Sequence, residues 1–165
     1  MVVEVDDSGW GDLIGGVIIV MRRVETKEKF VDEIPLELFQ GEEFKYKTYL
    51  RYATQIILEG LDELEVQKSE PIHICTGYIF KSAKEILEEL GYTVKEVKII
   101  GETQKLAEEE FLKSLEKRGI GITEKLRDIR SFPKFLQWVH KDLKKREKYV
   151  KTGWKKWKEL RETPP

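Results

Sequence analysis

At 165 residues and 40% apolar composition, the chain is long enough for one domain with a real core and an appended element, and too short for much more. Its single cysteine, Cys75, excludes an intrachain disulfide and suits a reducing interior; no run reaches the ~18 apolar residues of a membrane span, and the acidic start is unlike a basic signal peptide, so a cytoplasmic protein without a membrane partner is expected. The net charge of −1 conceals a split, because residues 121–165 carry 14 Lys/Arg against 6 Asp/Glu, a net of +8 that leaves residues 1–120 at −9.

The first element, Met1 to Asp7, reads as a strand: the β-branched run Val2-Val3-Glu4-Val5 ends in Asp6-Asp7, and Ser8-Gly9 opens a turn. Acids at the end of a strand that reads as buried are costly unless something pairs them, and a metal ion is one such partner. Gly15 to Val24 is a second, uniformly apolar strand. After the polar turn 25–28, Phe30, Ile34, Leu36 and Leu38 alternate along a third strand, Lys29 to Leu38. Short turns make these three an antiparallel meander.

A helical period begins near Glu42, with Tyr46, Leu50, Ala53, Ile57 and Leu61 on one face, and stops before Ser69-Glu70-Pro71. Glu42 and Glu43 would favour the positive end of that helix. Ile72 to Cys75 is a short fourth strand, broken by Thr76-Gly77. A second helix spans Ser82 to Leu90, a fifth strand Thr93 to Ile100, and a third helix Thr103 to Lys117. Gly119, Gly121 and Pro133 mark a looser connection, and 134–161 reads as one long or broken helix bearing Phe135, Trp138, Leu143, Val150, Trp154, Trp157 and Leu160. Residues 1–118 and 119–165 are therefore expected to form a domain and a basic, Trp-containing helical extension.

The order β-β-β-α-β-α-β-α, with an Asp-x-Ser type element (here Asp6-Asp7-Ser8) ending the first strand, resembles the ribonuclease H-like superfamily over residues 1–118. Among its members the chain resembles the archaeal single-strand-specific 3′-5′ exonucleases. The resemblance implies an α/β fold with a five-stranded mixed sheet of order 3-2-1-4-5, flanking helices and an essential Asp at position 6. It also implies hydrolysis of single-stranded DNA, RNA remaining open, and a homo-oligomer, with a trimer as the named candidate.

In such a sheet, ligands bind at the edge where parallel strands end. Three acidic spots converge there: Asp6 and Asp7, Glu43 at the start of the first helix, and Glu102 with Glu108, Glu109 and Glu110 around the third. Carboxylates suit hard cations, so Mg²⁺ or Mn²⁺ is the expected cofactor. Two such ions about 4 Å apart can activate a water and stabilise the leaving oxygen of a phosphodiester. Asp6 is read as the central ligand and Asp7, alternating to the other face, as solvent-facing or supporting. Asp6, Glu43, Glu102 and Glu109 form the expected catalytic set, with Asp7 and Glu110 as further metal ligands. The plainer alternatives are turn-capping or helix-start acids and a solvated acidic face.

One departure from the family pattern matters: no acid ends the fourth strand, where Cys75-Thr76-Gly77-Tyr78 stands. Either another carboxylate substitutes or the site is incomplete, and a non-catalytic nucleic-acid-binding or scaffold protein on the same fold is then the alternative. Cys75 has no paired His or Asp in a readable motif and reads as a core thiol. Phosphate-loop, dinucleotide and zinc-finger signatures are absent.

The basic tail carries Lys144, Lys145, Arg146, Lys148, Lys151, Lys155 and Lys156, interleaved with Trp154 and Trp157. Cations neutralise phosphates and aromatic faces stack unpaired bases, so the tail reads as a nucleic-acid surface. Trp154 and Trp157, three apart, serve equally as a docking face, and the charge split serves equally to neutralise the acidic body within one molecule or an oligomer. Tyr46, Tyr78 and Lys81 are placed at the active edge, where they could hold a substrate end. The 37% charged content, rich in Lys and Glu and poor in Gln, resembles that of hyperthermophile proteins.

Overall fold

The computed structural model describes residues 1–165. Its sheet is built from β1 (Val3–Ser8), β2 (Val17–Arg23), β3 (Lys29–Ile34), β4 (Ile72–Ile74) and β5 (Val94–Glu96), in the order β3-β2-β1-β4-β5. β1, β2 and β3 are antiparallel, with Val5 opposite Met21 and Val20 opposite Val31. β4 runs parallel to β1, with Val5 level with Ile74, and β5 runs parallel to β4. This is the five-stranded mixed sheet of order 3-2-1-4-5 that the element order implies.

The residues explain the layering. Successive strand side chains point to opposite faces. In β2, Val17, Ile19 and Met21 join one apolar cluster, while Ile18 and Val20 join another. A strand buried on both sides needs a continuous apolar run, which is what β2 has. The first cluster packs against α1 (Thr48–Glu63) and α2 (Lys81–Glu89) through Ala53, Ile57 and Leu87. The second packs against α3 (Glu102–Lys117) through Ala107, Phe111 and Leu115.

Beyond α3 come α4 (Thr123–Ile129), α5 (Phe132–His140), α6 (Leu143–Arg146) and α7 (Trp157–Glu162). Phe135, Val139, Val150 and Trp157 from this region sit in the same cluster as Phe111 and Val20. The chain also pairs with the β1–β2 loop: Val150 bridges Ile14, and the Lys151 amide donates to Leu13 O at 2.9 Å. The long-or-broken alternative thus resolves as broken. Ser131 caps α5 by accepting from the Lys134 amide, and between α6 and α7 a 3₁₀ turn, Glu147–Tyr149, leads into Val150 and Lys151, which pair with residues 13–15.

Several boundaries differ from the sequence expectation. β3 ends at Ile34 rather than Leu38, because Pro35 has no N–H to continue the ladder, and Leu36–Phe39 turns into a 3₁₀ helix. The expected helix start near Glu42 is a separate 3₁₀ segment, Gly41–Tyr46, which a left-handed Lys47 (φ 55°) separates from α1. β5 shrinks to three residues, as suits an edge strand with exposed Lys95 and Glu96. No helix is long and apolar enough to cross a membrane.

Candidate metal centre

β1 carries two adjacent acids to the edge at which β1 and β4 end. Asp6 is 6% exposed and Asp7 is partly buried. The Asp6 and Asp7 carboxylates and the Cys75 sulfur lie within 4.8 Å of one another. Cys75 follows β4 directly, its amide donating to Val5 O at 3.0 Å, so it extends the parallel ladder to the level of Asp6. A Cβ at Gly77 would stand 3.7 Å from Asp7 Oδ1, so that position too faces the acids.

Burial dominates the electrostatics. It pushes the Asp6 carboxyl up to about 6, against the pull of the Asp7 backbone N–H and the Cys75 thiol, while Glu108 and Glu4 add to the rise. Asp7 is pushed up to about 7 by burial and then by the charge of Asp6. Burial and the two carboxylates together raise the Cys75 thiol to about 11. No Lys or Arg forms an ion pair with any of the three, so two carboxyls and a neutral thiol share a half-dry site without a bonded counter-charge. The donor set fits a divalent cation.

The acids open into a cleft of about 410 Å³ whose rim includes Trp10, Lys98, Glu108 and Arg130. Glu108 and Gln104, one turn apart on α3, face the cleft from that helix. Arg130 donates to both carboxylate oxygens of Asp12 and, at 2.8 Å, to Ser8 Oγ. Its guanidinium lies 4.5 Å over the Phe111 ring.

The other expected acids lie outside this cleft. Glu43 is exposed on the 3₁₀ segment. Glu102 is exposed and pairs with Lys105 at 3.8 Å. Glu109 pairs with Arg127, and Glu110 with Lys113 at 3.6 Å. The cause is the phase of α3. Ala107 and Phe111 turn inward and place Glu108 on the flank beside β1, which rotates Glu109 and Glu110 away. Asp7 is half-buried within the cluster rather than solvent-facing, and Cys75 stands among the acids rather than in the core alone.

Tyr78, 41% exposed, lies 6.0 Å from the Trp10 ring with Lys47 Nζ over it. Tyr78 and Lys81 line a groove that shares Cys75 and Thr76 with the cleft. Tyr46 is exposed on the 3₁₀ segment. In the tail, Lys144, Lys148, Trp154 and Trp157 border a larger groove of about 760 Å³, and Lys145, Lys155 and Lys156 are exposed. Four tail residues are engaged internally. Arg146 donates to Trp138 O and lies 4.3 Å over that ring. Trp157 is buried and donates to Glu147. Lys151 is buried, its ammonium donating to Asp12 O at 2.7 Å and Ile14 O at 3.1 Å. Trp154 packs against Phe132.

Sequence reasoning passed over Cys75, Trp10, Lys98, Asp12 and Arg130. Cys75 had one readable signal, its place at the end of β4; Arg130 reaches Asp12 across 118 residues and had none.

No protein-family model matches the sequence, and no curated protein matches it. Among solved structures, the chain is similar to the catalytic core domain of BIV integrase, with 16% sequence identity and a TM-score of 0.41 over 71% of this chain and 67% of that chain.

Proposed function

We propose that the protein is a metal-dependent nuclease that hydrolyses phosphodiester bonds of single-stranded nucleic acid. The observation that carries this reading is the convergence of a buried Asp6 with half-buried Asp7 and Cys75 at the end of β1 and β4, none of them in an ion pair, facing an open cleft. Asp6 and Asp7 would hold the cation, with Glu108 supporting from α3. A divalent cation there supplies Lewis acidity, lowering the proton affinity of a water and offsetting charge that develops on the phosphate. The chain's own cations do the rest. Lys98 and Arg130 border the cleft where phosphate oxygens would lie, and Asp12 and Ser8 hold the Arg130 guanidinium in place. The exposed lysines of the tail would keep a strand near an acidic edge that otherwise repels it.

The resemblance to the archaeal exonucleases extends the proposal to DNA as substrate, 3′→5′ polarity, a homo-oligomer and a cytoplasmic location. The alternative, a binding protein that does not cleave, draws on the absence of an acid at Gly77.

End-labelled single strands incubated with Mg²⁺, Mn²⁺ or EDTA separate the two. Metal-dependent shortening that disappears in Asp6→Asn is expected. Cleavage that persists in that variant removes the assignment, and tight, salt-sensitive binding without cleavage under any metal favours the binding protein.

A further inference from the structure

We propose that Cys75 is a metal ligand, and that the cation held between Asp6, Asp7 and Cys75 belongs to the borderline-soft class typified by Zn²⁺ rather than to that of Mg²⁺. The inference rests on the metal-dependent reading above and sharpens it to the identity of the ion.

β1 and β4 run parallel with Val5 level with Ile74, so one residue further on Asp6 is level with Cys75. The resemblance would put a second acid near the end of β4, and no acid stands there. Cys75 brings its sulfur to the carboxylates from that strand end.

Asp6 is 6% exposed and makes no ion pair. A buried carboxylate without a cation is costly, and the open cleft beside it is where a cation would enter.

Donor chemistry points the same way. Mg²⁺ demands oxygen ligands in a near-ideal octahedron. Two carboxylates and one thiolate make a mixed set, and thiolate selects softer ions. Three protein ligands with one open position are the arrangement of catalytic zinc sites. The donor atoms lie within 4.8 Å of one another, against about 3.6 Å in a tetrahedron built on the usual Zn–O and Zn–S lengths, so small side-chain rotations close the set. On binding, the thiol proton passes to solvent. Neither histidine competes: His73 lies inside β4, and His140 is bonded to Leu160 O.

Because Cys75 is the chain's single cysteine, any sulfur signature assigns itself. The test is titration of the full chain with Co²⁺, a spectroscopic stand-in for Zn²⁺. A sulfur-to-cobalt charge-transfer band in the near ultraviolet is expected, absent in Cys75→Ser, with Zn²⁺ affinity in that variant lower by about 100-fold. Cys75→Asp should bind Mn²⁺ or Mg²⁺ without the band. The wild-type chain gives a readout that needs no variant to fold: Zn²⁺, and not Mg²⁺, should protect Cys75 from alkylation. Co²⁺ binding without the band, or equal alkylation with and without Zn²⁺, overturns the thiolate ligand and leaves the carboxylate metal site standing. Failure of every divalent cation to bind overturns both.

Discussion

Arg130, in the turn between α4 and α5, grips both carboxylate oxygens of Asp12 in the β1–β2 loop, at 3.1 and 3.0 Å, across 118 residues of sequence. This contact ties the tail of the chain to the loop that follows the acids. Side-chain exposures of 22% and 13% put the pair between a surface and a buried bridge. Its bidentate geometry and the added bond to Ser8 favour a measurable contribution. Arg130→Ala is expected to destabilise by roughly 1–2 kcal/mol, read as a shift in urea midpoint at constant m. A double-mutant cycle with Asp12→Ala should show a coupling of about 1 kcal/mol, and a coupling near zero refutes the clamp.

A sharper functional expectation concerns α3. Glu108 faces the cleft, while Glu109 and Glu110 turn to Arg127 and Lys113. Glu108→Gln should lower metal-dependent cleavage by roughly 10- to 100-fold, the cost typical of losing a supporting group. Glu109→Gln and Glu110→Gln should stay within about twofold of wild type. Single-turnover rates on one labelled strand decide it, and a larger loss at Glu109 or Glu110 than at Glu108 reverses the assignment.

How far the sequence could be read follows from the range of the interactions involved. β2 was legible because burial on both faces demands the uninterrupted run that Val17 to Met21 displays. Asp6 was legible because an acid ending such a strand is electrostatically anomalous. The status of Asp7 was not, because alternation alone turns it to the opposite face, while its place within 4.8 Å of Asp6 and Cys75 depends on how the strand end turns. The place of Cys75 depends on a parallel register, which no local pattern encodes. The choice among Glu108, Glu109 and Glu110 depends on helix phase, which Ala107 and Phe111 set once α3 docks. The tail's internal cations were unreadable for the same reason: Lys151 looks like its neighbours until its backbone pairs with Leu13.

Lys151 gives a pH dependence whose sign is fixed by its burial. Desolvation pulls its ammonium down from 10.5 to about 7, against the attraction of Asp12. Between those values the unfolded chain binds a proton that the folded chain lacks, so folding stability rises with pH from about 7 to 10.5. The gain is of the order of a few kcal/mol at most. Urea midpoints measured from pH 7 to pH 10 should climb in the wild type and climb less in Lys151→Met, which is also weaker overall because the carbonyls of Asp12 and Ile14 lose their donor. Parallel curves for the two proteins would rule out this role for Lys151.

Gly60, inside α1, is where helix propensity and packing oppose each other. Alanine is better than glycine in a helix by about 1 kcal/mol. A Cβ at Gly60, however, would stand 2.2 Å from Met21 Sδ and 2.8 Å from Phe30 Cδ1, where α1 crosses the sheet. Overpacking of this kind costs about 1–3 kcal/mol, so Gly60→Ala should lower the midpoint despite its propensity. A rise in stability would mean that Met21 yields freely.

The tail's two classes of cation separate on a salt titration. Lys144, Lys145 and Lys148 are exposed, and Lys144 and Lys148 border the groove shared with Trp154. Lys151 is sealed against Asp12 and Ile14 and has no path to a phosphate. Each phosphate contact on a single strand contributes a slope of about −0.7 to log K against log salt. Replacing Lys144, Lys145 and Lys148 together with Gln should therefore flatten the slope by about 2 and leave the urea midpoint unchanged. Lys151→Gln should do the reverse, lowering the midpoint while the slope holds. Fluorescence anisotropy of a labelled oligonucleotide, in Ca²⁺ to suppress cleavage, measures the first quantity. An unchanged slope in the triple variant would leave the tail as a packing element alone, its lysines solvated and its tryptophans holding α5 and α7 to the sheet.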